Sequence, residues 1–134
     1  MKNKSFMGIA AGLLVVIIVL AVVCIKEYSA IQRNKVDSLN TAFYYMQEVL
    51  EEESDRGFEN WDKKSANIYV LQQKSAGNAR GMGDYEEIRN MILEISQIEN
   101  PSDAEAKSLI EQARDMKVSW STESWNWSAS IIKK

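Results

Sequence analysis

From Phe6 to Ile25 the chain runs for twenty residues without a charged side chain and, apart from the thiol of Cys24, without a hydrogen-bonding one. At about 1.5 Å per residue a helix over this stretch is roughly 30 Å long, the thickness of a bilayer's hydrocarbon core. One membrane helix is therefore expected. The apolar part of a secretory signal is about 7 to 15 residues long and is followed by small residues at the cut. Here the run is longer, and Tyr28-Ser29-Ala30 puts a tyrosine at the −3 position, which favours an anchor that stays in the mature chain. Met1-Lys2-Asn3-Lys4 followed by an apolar run ending at Cys24 has the outline of a lipoprotein signal, but Val23 stands where such signals carry a small residue. Cys24 is accordingly read as a small apolar residue rather than a lipidation site.

Lys2 and Lys4 flank the run on one side and Lys26, Arg33 and Lys35 on the other, a nearly balanced distribution. The short segment 1–5 carries no folded cargo, so the expectation is that it stays inside and the remainder lies outside the cytoplasm. Gly8 and Gly12 form a Gly-x-x-x-Gly pair on one helical face, a spacing that lets a second membrane helix approach closely and makes them candidates for self-association.

All nineteen acidic residues lie beyond the apolar run, with fourteen of the sixteen basic ones. A mildly acidic domain without a basic face argues against nucleic acid as a partner. The chain has no histidine and one cysteine, which excludes a disulfide framework, zinc sites of the Cys/His type and histidine-based catalysis. Glu48, Glu51, Glu52, Glu53 and Asp55 are the densest carboxylate cluster, yet they lack the loop spacing of a calcium site and read as a solvated helix end. The Asp and Glu residues are placed in exposed phases of their helices, so paired-carboxylate catalysis is not expected. Neither a catalytic residue, a cofactor site nor a metal site is assigned. Gly77, Gly81 and Gly83 read as a flexible connector, since the preceding strand and the Lys-Ser/Thr ending of a phosphate loop are missing.

The helix of the apolar run is expected to continue past Lys26, because no Pro or Gly occurs before Gly57 and Val36, Leu39, Phe43, Met46 and Leu50 form a heptad-like seam. Glu51-Glu52-Glu53 lies at the carboxyl end of this helix, where the dipole disfavours anions, so fraying is expected towards Ser54-Asp55-Arg56-Gly57, with a turn there. A second helix is read from Phe58 to about Ser75, with Phe58, Trp61, Ile68 and Leu71 facing inward. Asp84 with Glu87 reads as a variant capping box opening a third helix with Tyr85, Ile88, Met91, Ile92, Ile95 and Ile98 on its stripe. Ser102 with Glu105 reads as a second box, opening a fourth helix that carries Ala106, Leu109, Ile110, Ala113 and Met116.

Beyond Ser119 the pattern is ambiguous. Trp125, Trp127, Ala129 and Ile131 alternate as a half-buried strand would, while Met116, Trp120, Trp127 and Ile131 also fit a helical seam. Abundant Ser and Thr weaken helix propensity, so a frayed, irregular or extended tail is expected. Its tryptophans are the candidate contact residues for a partner, Trp120, Trp125 and Trp127 with Ile131, since indole suits both interface hot spots and the lipid headgroup level. Lys133 and Lys134 would add attraction to an anionic surface.

Tyr28 with Arg33, Asn34 and Val36, and Lys63-Lys64 with Ile68 and Leu71, resemble two segments of the LemA family, from whose pattern Ala66 and Tyr69 depart. That resemblance implies one amino-terminal membrane helix and an antiparallel bundle of long helices, and it implies no catalytic residues.

The fold class expected is all-α: segment 1–5, an anchor over 6–25, a bundle of about four helices over 26–118 and a Trp/Ser-rich tail over 119–134. Four amphipathic helices with short connections make an antiparallel bundle. Such a chain is expected to be a single-pass, non-enzymatic interaction or structural protein, an accessory subunit of a membrane assembly. Its partners would be the lipid bilayer and a protein or a second copy of itself, with no small-molecule substrate. A ligand-sensing module, which would need a polar internal pocket beyond Ser65 and Tyr69, and a phage-type lysis or envelope protein are the alternatives.

Overall fold

The computed structural model describes residues 2–123 and 126–132. In chain order they form α1 (Lys2–Asp55), α2 (Trp61–Gln73), α3 (Tyr85–Ser96), α4 (Ala104–Asp115), β1 (Lys117–Glu123) and β2 (Asn126–Ile132). The molecule is mostly helical, and its architecture follows from α1. At 54 residues this helix is about 80 Å long. Its first half, the apolar run, is exposed and packs on nothing, and this is the one helix long and apolar enough to cross a membrane among the described residues. Its second half is the spine of a small head.

The seam is where the apolar spacing places it. Val36, Leu39, Phe43, Met46 and Leu50 are buried, together with Ala42 and Val49. Against them pack Trp61 and Ile68 of α2, Tyr85, Ile88, Ile92 and Ile95 of α3, and Ile110 and Ala113 of α4. Helices α2 and α3 pack on each other and on α1, and α4 lies against α1 and α3. Burying a large aliphatic or aromatic side chain stabilises by about 1.5–3 kcal/mol before the entropy of ordering is charged against it. This shared core is thus what holds the head to the rod.

The all-α expectation is corrected at the carboxyl end. Residues 117–132 form an antiparallel hairpin in which Val118 is paired with Ile131, Trp120 with Ala129 and Thr122 with Trp127. The side chains alternate: Val118 and Trp120 are half-buried while Lys117, Ser119 and Ser121 are exposed, and Ala129 is wholly buried between exposed Ser130 and half-buried Ser128. The period of two prevails because one face of the hairpin packs on the head, which a frayed Ser/Thr-rich helix could not match. The boundary expected after residue 118 thereby falls inside a strand, and the tail is part of the head's core.

Three local expectations change for a common reason: backbone groups in the connections need partners. The fraying expected towards Ser54–Gly57 does not set in before Asp55. Helix α1 continues to Asp55, and Glu53 is buried with its Oε2 accepting from the Asn60 amide at 3.1 Å, just ahead of α2. One carboxylate therefore lies in the interior, contrary to the reading of every acid as exposed. Asp84 and Asp103 sit at the starts of α3 and α4 without a side-chain cap bond, so neither capping box forms. In the turn ahead of α4, Asn100 Oδ1 accepts from the Ser102 amide at 3.1 Å. The glycine-rich connector is fastened rather than loose. Ala79 and Met82 are buried in it, and Gly83 pairs with Ala129 in a single parallel bridge. Gly83 has φ +67°, and a Cβ there would lie 2.5 Å from the Ala129 carbonyl oxygen, so this approach requires glycine.

Candidate interaction surface

The hairpin is positioned by polar side chains that the apolar seam leaves on α1. Gln47 Nε2 donates to the carbonyls of Ala113, Arg114 and Met116, the last at 2.7 Å. With two hydrogens shared among these carbonyls, it ties the end of α4 to α1 and fixes the point from which β1 departs. Further down β1, Trp120 sets its ring edge-on to Phe43 at 6.4 Å between centroids. On β2, the buried Gln32 accepts from the Trp127 amide at 3.2 Å, and Ser29 Oγ accepts from Trp127 Nε1 at 3.2 Å. The Arg33 guanidinium lies over the Trp127 ring at 5.7 Å, within cation–π range.

A second set of bonds ties β2 to the connector between α2 and α3. The Ala129 amide donates to Met82 O at 3.1 Å and Ala129 O accepts from the Asp84 amide at 2.7 Å. Asp84 Oδ2 accepts from the Ile131 amide at 2.8 Å. The carboxylate read from sequence as a helix cap thus serves as the clamp of a strand.

Behind this junction Tyr85 is completely buried, its hydroxyl donating to Ser75 O at 2.7 Å and lying 3.2 Å from Lys35 O. Burial pushes the phenol up to about 12, outweighing the pull of Ser75 and Arg89 in the other direction. Lys35 Nζ donates to the Asn78 carbonyl of the same connector.

Of the residues singled out from sequence, Trp120, Trp127 and Ile131 come together on this hairpin, each half-buried. Trp125 lies outside the described residues, as do Lys133 and Lys134. Gly8 and Gly12 lie on the exposed part of α1 with open space around the position a Cβ would take. Sequence reasoning missed Gln32 and Gln47 and gave Asp84 a different role. Their signal is weak: a polar residue beside an apolar seam is ordinarily a solvated one.

The depressions of the surface offer little chemistry. One of about 560 Å³ lies between the end of α3 and the start of α4, lined by Ile98, Asn100, Asp103, Glu105 and Leu109. Its amide donor, Asn100 Nδ2, is 3.2 Å from Asp103 Oδ1, so these two groups are engaged with each other. Ser65 Oγ is spent on the Asp62 carbonyl, and Tyr69 is exposed. Among the described residues no three His, Cys, Asp or Glu side chains converge in a way that could hold a metal ion. No protein-family model, curated protein or solved structure matches the chain.

Proposed function

We propose that this is a single-pass membrane protein acting without catalysis, an interaction or structural subunit of a membrane-associated assembly with its head outside the cytoplasm. The observation that carries the reading is the division of labour along one unbroken helix: Phe6–Ile25 is apolar and uncovered, while Gln32–Glu53 is the spine of the head. Twenty exposed apolar residues in water would be an aggregation hazard, and lipid removes it. A rigid continuation from bilayer to head gives the head a defined height, which suits a subunit that must meet a neighbour. The orientation rests on the shortness of segment 1–5, which carries no folded cargo, since the flanking basic residues are nearly balanced. The likeness to the LemA family belongs with this reading as a proposal about anchor and helical head; a carboxyl-terminal hairpin is no part of what it implies.

The test is affinity purification of the full-length chain from detergent-solubilised membranes. A protein partner in stoichiometric amount, or a defined homo-oligomer, is the expected result. A monomer carrying a bound small molecule would overturn it in favour of a ligand-sensing module.

A further inference from the structure

The hairpin has a direction relative to the apolar run. Its open end lies at the level of Gln47, through the Gln47–Met116 bond, and its closing end lies at the level of Ser29 to Arg33, through Trp127. Strand β1 therefore descends toward the apolar run and β2 climbs away from it. Ser29 is four residues past Ile25, about 6 Å along the helix axis. The headgroup layer on each side of a bilayer is of that order, since the hydrocarbon core of about 30 Å grows to about 40–45 Å when both layers are counted. Trp127 thus stands at the depth where tryptophan is enriched in membrane proteins.

The face of α1 that carries the hairpin is also continuous with the apolar run. Val22, Ile25, Ser29, Gln32 and Val36 follow one another at spacings of three and four and share one side of the helix. The hairpin touches the upper part of that side through Trp127, at Ser29 and Gln32, and Ile25 and Val22 below them are exposed. Trp127 is half-buried, and the Arg33 side chain beside it is mostly exposed, with its Nε 3.9 Å from the equally exposed Asp37 Oδ2. An indole with a guanidinium alongside offers what a phospholipid interface accepts: a flat apolar body for the glycerol region and a cation for the phosphate.

Resting on the membrane-anchor reading, we propose that the hairpin is seated in the lipid headgroup layer through Trp127, together with Arg33 of α1. The head is then braced against the bilayer at two points, the helix and the hairpin, instead of standing off on a single stalk. The occupant of this surface is phospholipid, not a second protein.

The test uses the full-length chain labelled with 5-fluorotryptophan in phosphatidylcholine vesicles, with and without lipid carrying a nitroxide on its headgroup. Each variant's missing ¹⁹F line assigns one tryptophan, with Trp127→Phe identifying the decisive one. Trp61 is the internal control, because it is buried in the core directly after Asn60, whose amide bonds Glu53, about 42 Å along α1 from Ile25. The nitroxide should broaden the Trp127 line severalfold and leave Trp61 unchanged. If the protein floats with the vesicles and both lines stay equally sharp, the brace is wrong and the anchor stands. If the protein does not float with the vesicles at all, the anchor and the brace fall together.

Discussion

Tyr85 joins the connector to the spine: its hydroxyl donates to Ser75 O and lies within reach of Lys35 O. Replacing it by phenylalanine leaves buried carbonyl partners unmet, so Tyr85→Phe should cost about 1–3 kcal/mol at neutral pH. The pH dependence follows from the direction of the shift. The folded phenol holds its proton to about 12 while the unfolded one releases it near 10, so the contribution is complete below pH 10 and is lost as the pH rises toward 12. Wild type and Tyr85→Phe should therefore converge in stability across that window, as read by circular-dichroism melts of the full chain in detergent. A gap that stays constant from pH 9 to 12 would show that the phenol is not held neutral by the fold.

The hairpin and the third helix meet at Asp84, whose carboxylate takes the Ile131 amide and leaves the first turn of α3 uncapped. Asp84→Ala should raise exchange of the Ile131 amide by an amount corresponding to about 1.5–3 kcal/mol, the worth of a hydrogen bond to a charged acceptor. The amides at the start of α3 should be unaffected. Hydrogen exchange followed residue by residue separates the cases, because a true cap would lose protection at Glu86 and Glu87 instead. The same junction marks the limit of what the sequence discloses. Helix α1 and its seam are legible because Val36 to Leu50 repeat at spacings that only one period fits. The hairpin is not: Trp120, Trp127 and Ile131 satisfy both periods, and what selects the strand is the connection to Met82, Asp84 and Gln32, contacts made over long sequence separations. Those partners are two isolated polar side chains and one backbone carbonyl, and their role exists only once the helices are in place. Asp84 shows the difficulty most clearly, since a capping residue and a strand clamp have the same local sequence.

On the scale of the whole molecule, one rod does two jobs. Gln32, Lys35, Gln47 and Glu53 each hold a backbone group of a different element: β2, the glycine connector, the end of α4 and the entry to α2. The head is therefore registered along α1 at four heights, and its distance from the apolar run is set by the helix itself. That geometry has meaning only if the run remains in the protein and lies in lipid. The direct measurement is the intact mass of the chain recovered from cell membranes after an alkaline carbonate wash. A full-length mass in the pellet, including Phe6–Ile25, is expected; release of the chain into the wash, or a mass lacking roughly the first thirty residues, would contradict the anchor and everything inferred from it.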